Sequence, residues 1–108
     1  MAGCIFCKIR DREIPKDFTY EDENVMVFAD INPLKPIHLL VVSKQHVQDL
    51  LNAEEKLLGR LMTIIKKMAK EQKLEGKGFR VINHGGGAQI IDHLHFHLLG
   101  PIGKHAAM

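Results

Sequence analysis

Three histidines alternate with apolar residues in Asp92-His93-Leu94-His95-Phe96-His97-Leu98-Leu99-Gly100. Imidazole acts as nucleophile, proton carrier and metal ligand near neutral pH, and three of the chain's seven histidines stand here. A strand puts alternate side chains on one face, so His93, His95 and His97 would form a row with neighbours roughly 6.5–7 Å apart. Leu94, Phe96 and Leu98 would face the core. Core strands do not ordinarily devote a whole face to titratable groups. The row therefore points to chemistry, a metal or a phosphate rather than to a half-exposed strand with a polar side.

Immediately upstream, Gly85-Gly86-Gly87-Ala88-Gln89 is a loop whose backbone can approach a ligand and turn its N–H groups toward an anion. Loop and row together suggest phosphate chemistry. Backbone N–H groups and protonated imidazoles would stabilise phosphate oxygens while one neutral imidazole attacks phosphorus. Asn83, at the end of the preceding strand, either donates its amide to phosphate or bonds its own backbone in a turn.

A second constellation is Cys4-x-x-Cys7, which has zinc-ligand spacing. His46 and one of the three row histidines could complete four protein ligands, a structural site tying the N-terminus to the sheet. Two small buried cysteines would look the same in sequence. If zinc is held, Cys4→Ser lowers stability more than it lowers chemistry per folded molecule.

The elements that must position these groups can be read in order. Cys4-Ile5-Phe6-Cys7-Lys8-Ile9 is a short helical turn with Ile5, Phe6 and Ile9 on one side, and Ile14-Pro15 marks a loop. Strands are expected at Phe18–Glu21, Val25–Asp30, Ile37–Val42 and Phe79–His84, followed by the histidine strand. Asp30 closes the second strand, and His38 alone interrupts the third, where it is either a core histidine or part of the site. Val47 to Leu51 reads as a brief helix. Asn52-Ala53-Glu54-Glu55 resembles a capping box. Leu57, Leu61, Ile64, Ile65, Met68 and Gln72 then trace one face of a helix of about five turns ending near Gly76, with Lys66, Lys67, Lys70 and Glu71 opposite.

A chain of 108 residues, 45% hydrophobic and 26% charged, is a single domain of ordinary globular composition. The formal charge of +2 comes without a basic block, so nucleic acid is not an expected partner. The longest apolar run, Ile37 to Val42, is too short to span a membrane. Met1-Ala2-Gly3-Cys4 lacks the charged-then-apolar pattern of a signal peptide, so the expected location is cytoplasmic.

His93-Leu94-His95-Phe96-His97-Leu98-Leu99 resembles the His-φ-His-φ-His-φ-φ signature (φ apolar) of the histidine triad, or HIT, family. Phe28 to Pro33, Pro36 to Val42, Lys44-Gln45-His46 and Asn83-His84-Gly85 with Gln89 resemble the branch that hydrolyses nucleoside phosphoramidates. The Cys-x-x-Cys resembles the zinc site of many bacterial members. The resemblance implies an α+β homodimer, each subunit a five-stranded antiparallel sheet with one long helix and a short N-terminal helix. It implies attack by His95 on the α-phosphorus of a purine nucleoside 5′-phosphoramidate, a nucleotidyl-histidine intermediate, and hydrolysis to the monophosphate. His97 would contact phosphate and protonate the leaving amine, and His38 would orient the nucleophile. Asn83, Gln89 and the backbone around Ala88 and Ile90 match phosphate-contacting positions. Asp30 would hold the ribose hydroxyls, with Ile31, Ile5, Phe6 and Ile9 near the base. Zinc would fall to Cys4, Cys7, His46 and His93, and the chemistry itself would need no cofactor.

Three departures from that pattern stand out. Ile90 replaces the usual Ser, Thr or Glu after Gln89, Asp92 replaces a common aromatic, and the loop from Asn83 to His93 is one residue short. The Asp92 charge would raise the pKa of His93 or bond a zinc ligand. Competing readings are a nucleotide-binding regulatory protein with weak activity, a dinucleoside polyphosphate hydrolase of the same family, and a small metal-binding protein using the histidine row.

Overall fold

The computed structural model describes residues 3–104. Met1-Ala2 and residues 105–108, part of the expected tail, lie outside the described residues. In chain order the elements are α1 (Ile5–Arg10), β1 (Phe18–Glu21), β2 (Val25–Ala29), β3 (Ile37–Ser43), a single 3₁₀ turn (Leu50–Asn52), α2 (Glu55–Glu71), β4 (Arg80–Ile82) and β5 (His95–Gly100). The strands form one five-stranded sheet in the order β1-β2-β3-β5-β4, every neighbouring pair antiparallel. The α+β architecture expected from the sequence is therefore present.

Register decides which side chains share a face. Leu39 pairs Leu98 and Val41 pairs Phe96 on one face. On the other, His38 pairs Leu99, Leu40 pairs His97 and Val42 pairs His95. The first face is covered by α2, whose Leu61, Ile64, Ile65 and Met68 recur at helical spacing and are all buried with Leu39, Val41, Phe96 and Leu98. Each such side chain contributes about 1.5–3 kcal/mol before conformational entropy is charged against it. Lys66, Lys67, Lys70 and Glu71 are exposed on the far side of the helix, as expected. Arg60 of α2 also ties the helix to the β1–β2 turn, donating to the Asp22 carboxylate and to the Tyr20 hydroxyl. Burial alone would raise the Asp22 pKa, but the Asn24 and Val25 amides, the Tyr20 hydroxyl and Arg60 hold it at about 2.

The opposite face is only partly covered. Short α1 lays Phe6 and Ile9 over Met26, Phe28, Leu40 and Val42, a second buried cluster. Ile5, expected on the same side, is instead 43% exposed, and α1 buries Phe6, Cys7 and Ile9. The same face carries His95 against Phe6 at the edge of this cover, with His97 and His38 beyond it.

Several boundaries differ from expectation for local reasons. The capping box does not form: Glu54 is the N-cap of α2 without a side-chain bond, since Leu50–Asn52 is taken up by the 3₁₀ turn. That turn replaces the expected Val47–Leu51 helix, and Asp49 caps it through the Leu51 amide at 3.1 Å. Helix α2 stops at Glu71 rather than near Gly76, because Lys73 takes a left-handed φ of 60°. Strand β4 covers only Arg80–Ile82, and β5 begins at His95, not His93.

Candidate functional site

The three histidines do not form one row. His95 and His97 share the open face of β5, with ring centroids 5.2 Å apart. His93 precedes the strand. Its own amide bonds Ile91 O at 2.8 Å, the Leu94 amide bonds Val47 O at 2.7 Å, and this irregular backbone turns the His93 ring toward α1. There its Nδ1 lies 3.2 Å from Cys4 Sγ and 3.6 Å from Cys7 Sγ.

Hydrogen bonds fix which nitrogen of each ring carries the proton. A carbonyl can only accept, so His93 donates from Nε2 to Ser43 O at 2.6 Å, and its Nδ1 is a bare lone pair facing the cysteines. His95 donates from Nδ1 to the His93 carbonyl at 2.7 Å. Its Nε2 is then unprotonated in the neutral ring, and has no hydrogen-bond partner among the described residues. His38 Nδ1 accepts the Leu34 amide at 3.1 Å, which places the His38 proton on Nε2. That Nε2 donates to His97 Nδ1 at 2.9 Å, so His97 carries its proton on Nε2. Asp30 Oδ2 stands 3.4 Å from His38 Nε2 and 4.0 Å from His97 Nδ1. Asp30, His38 and His97 have the spacing of metal ligands, but the Leu34 amide commits the facing His38 nitrogen to a proton. The cluster is a hydrogen-bonded relay. His38 therefore orients His97, not His95 as expected from the sequence.

Burial lowers all three triad pKa values, because a charged ring loses hydration there. His93 falls to about 4. His97 also falls to about 4, pressed further by its neighbours His95 and His38. His95 shifts in the same direction through burial. The expected protonated imidazoles are thus neutral rings near pH 7, and the triad offers N–H donors and a lone pair in their place. Asp92, expected to raise the His93 pKa, is exposed and makes no bond to it, so burial prevails.

A cavity of about 470 Å³ opens over this face. Among the residues anticipated from the sequence, Ile5, Phe6, Ile9, Asp30, Ile31, His38, Ile90, His95 and His97 line it. Phe6 meets both His93 and His95 edge-on, at centroid distances of 5.6 and 5.0 Å. The sequence reading gave no role to His84, which also lines the cavity with its ring 5.9 Å from His97. Its residue type and place beside the glycine loop were the available signal.

Asn83, Ala88 and Gln89 are not brought to the cavity wall. The Asn83 amide donates to His95 O at 2.9 Å, joining the end of β4 to β5. The Ala88 amide bonds Gly85 O at 3.2 Å. Gln89 is buried, accepting from the Gly87 amide at 3.0 Å and donating to Gln48 O at 3.2 Å. The Gly86 amide donates to Asp49 Oδ2 at 2.6 Å. Of the loop N–H groups expected to cradle an anion, those of Gly86, Gly87 and Ala88 are thus engaged by the protein's own side chains and carbonyls. Asp49 is the latch, and a Cβ on Gly85 would stand 2.9 Å from its Oδ1. Asp49→Ala should speed amide exchange at Gly86 about tenfold, as loss of a charge-assisted hydrogen bond requires. An unchanged rate measured by NMR would show that the latch does not restrain the loop.

Cys4, Cys7, His46 and His93 form a second cluster, their ligand atoms all within 4.8 Å of one another. Besides the two His93–cysteine distances, Cys7 Sγ lies 3.3 Å and His93 Nδ1 3.2 Å from His46 Nδ1. Tetrahedral zinc bonds to sulfur and nitrogen imply ligand–ligand edges of about 3.3–3.8 Å. The observed spacing fits, both cysteines are free thiols, and the Ser43 carbonyl holds His93 in the tautomer a metal needs. The donor set is compatible with zinc. No helix among the described residues is long and apolar enough to cross a membrane.

Comparison with known proteins agrees with this geometry. Residues 11–103 match the HIT domain. A purine nucleoside phosphoramidase of Escherichia coli K12 is 40% identical over 108 residues, covering 92% of this chain and 89% of that protein. A 14 kDa zinc-binding protein of Zea mays is 44% identical over 103 residues, covering 89% of this chain and 80% of that protein. The crystal structure of a HIT family hydrolase from Clostridium thermocellum superposes with a TM-score of 0.90 at 36% identity, covering 100% of this chain and 98% of that one. With the histidine pair, its relay and the cysteine–histidine cluster in place on the matching sheet, this chain belongs to the HIT family.

Proposed function

We propose that the chain hydrolyses purine nucleoside 5′-phosphoramidates through a nucleotide bound covalently to His95. The observation that carries this reading is the tautomer of His95, whose Nδ1–H is committed to the His93 carbonyl, leaving a neutral lone pair on Nε2 beside the cavity. In the first half-reaction Nε2 attacks the α-phosphorus and the phosphorus–nitrogen bond breaks. The departing amine takes its proton from a water through His97, whose Nε2 gives a proton to the amine and regains one from that water while its Nδ1 stays hydrogen-bonded to His38. In the second, the hydroxide so formed attacks the nucleotidyl-histidine at phosphorus and the phosphorus–Nε2 bond breaks, releasing the nucleoside monophosphate and free His95. Asp30 lies at the cavity wall, where its carboxylate can accept from ribose hydroxyls, and Ile5, Phe6, Ile9 and Ile31 offer an apolar surface for a base.

Zinc held by Cys4, Cys7, His46 and His93 would supply a structural cross-link, with no part in phosphorus chemistry. A homodimer belongs to the same reading. Support for it comes from β4, whose outer edge pairs with no strand among the described residues, and from the exposed Val81 on it and Phe79 just before it.

The test is trapping. Wild-type protein mixed with adenosine 5′-phosphoramidate and quenched in base should carry a nucleotide on the peptide containing His95. Parallel samples receive a dinucleoside polyphosphate. Labelling only by the polyphosphate would move the activity to the related hydrolases, and no adduct with either would remove covalent catalysis.

A further inference from the structure

The two sequence departures nearest the triad, Ile90 and Asp92, are unused by the chemistry above. Ile90 is an apolar residue 100% exposed. It borders the histidine cavity and also a second hollow of about 480 Å³, lined by Ile5, Ile90, Ile91, Gln48 and Asp92 together with Gly3 and the cluster residues Cys4 and His46. Ile5, Ile90 and Ile91 line both hollows, an apolar ridge that the two share. No lysine or arginine lines the second hollow. The exposed Asp92 carboxylate on its wall has no hydrogen bond or ion pair among the described residues.

We infer that the second hollow is a subsite for the leaving amine, and that it selects amines with a short apolar chain ending in a second, cationic group. This deepens the phosphoramidase reading and rests on it. In-line displacement sends the leaving group away from His95, so an amine larger than ammonia needs room beyond the nucleotide cavity. The isoleucine ridge gives its methylenes an apolar path. Asp92 then presents the charge that a terminal ammonium would meet and that a carboxylate would avoid. Ile90 in place of the usual Ser, Thr or Glu, and Asp92 in place of a common aromatic, would shift the site from the phosphate toward the leaving group.

The experiment compares four adenosine phosphoramidates, made from ammonia, propylamine, 1,3-diaminopropane and 3-aminopropanoate. Wild type should rank the cationic chain above the neutral one and the anionic chain last. The cationic-to-anionic ratio in kcat/KM should be about tenfold in low salt, shrinking toward one at high salt. Asp92→Asn should collapse that ratio, with metal content checked because His93 is adjacent. Ile90→Ser should reduce the preference of propylamine over ammonia by about fivefold. The salt dependence of the wild-type ratio tests the charge term even if a variant fails to fold. An order that follows amine basicity alone, unmoved by salt or Asp92→Asn, overturns the subsite. Failure to hydrolyse any of the four overturns the phosphoramidase reading instead.

Discussion

His95→Ala should reduce kcat for adenosine phosphoramidate by about 10⁴-fold or more, as loss of a nucleophile does. The other two triad rings cannot take over. His97 Nδ1 is occupied by His38 and its Nε2 bears a proton, while His93 faces the cysteines. His97→Ala should cost less, about 10²–10³-fold, as removal of a general acid does. The two variants also differ in kind. Loss of His97 should matter little for a nucleotide ester with a good leaving group, because such a group departs without a proton. Loss of His95 should be equally severe for both substrates. A His95→Ala enzyme retaining a tenth of wild-type turnover would assign the attack to another group, and circular dichroism of the variant guards against misfolding.

Removing metal from the cysteine–histidine cluster should lower the melting temperature by about 10 °C or more. A domain near this size loses about 4–8 °C per kcal/mol, and binding to the folded state alone easily contributes two or more kcal/mol. Cys7→Ser should do the same without a chelator. The buried Cys7 belongs to α1, whose Phe6 and Ile9 roof the second core cluster, so a loosened cluster frees one wall of the cavity. Activity per folded molecule should fall less than stability does, yet measurably, because the His93 residue serves both sites. Its ring reaches the cysteines and its carbonyl holds His95 Nδ1. Nucleotide and metal should consequently be linked, so that adenosine monophosphate slows metal loss to a chelator. Coincident melting of metal-loaded and metal-free protein would mean that the fold alone holds these four side chains together.

The residue types were the most legible part of this protein. Alternating His and apolar residues announced the site, Cys4-x-x-Cys7 announced the cluster, and the helical stripe of Leu61, Ile64, Ile65 and Met68 announced which face α2 buries. Periodicity reports on local geometry, and those features are local. What alternation could not show was where the strand begins. The His93 backbone leaves the ladder because Ile91 O and Val47 O claim the flanking amides, contacts made across more than forty residues of chain in the second case. One irregular turn thus divided an apparent row into a pair on the open face of β5 and a third ring turned to the cysteines.

The same limit applies to charge and to the loop. Composition names a histidine but not its protonation, which depended on burial beneath Phe6 and on carbonyls from Ser43 and His93. Glycines in a run signal a pliable backbone, yet Asp49, thirty-seven positions earlier, decided that the Gly86 amide faces a carboxylate. The sequence by itself determined the inventory of reactive groups and the faces of its regular elements, because both are written in residue type and short-range spacing. Only the tertiary structure decided which nitrogen is bare, which histidine serves which site and which loop amides are engaged, because each depends on a hydrogen-bond partner the chain brings from a distance.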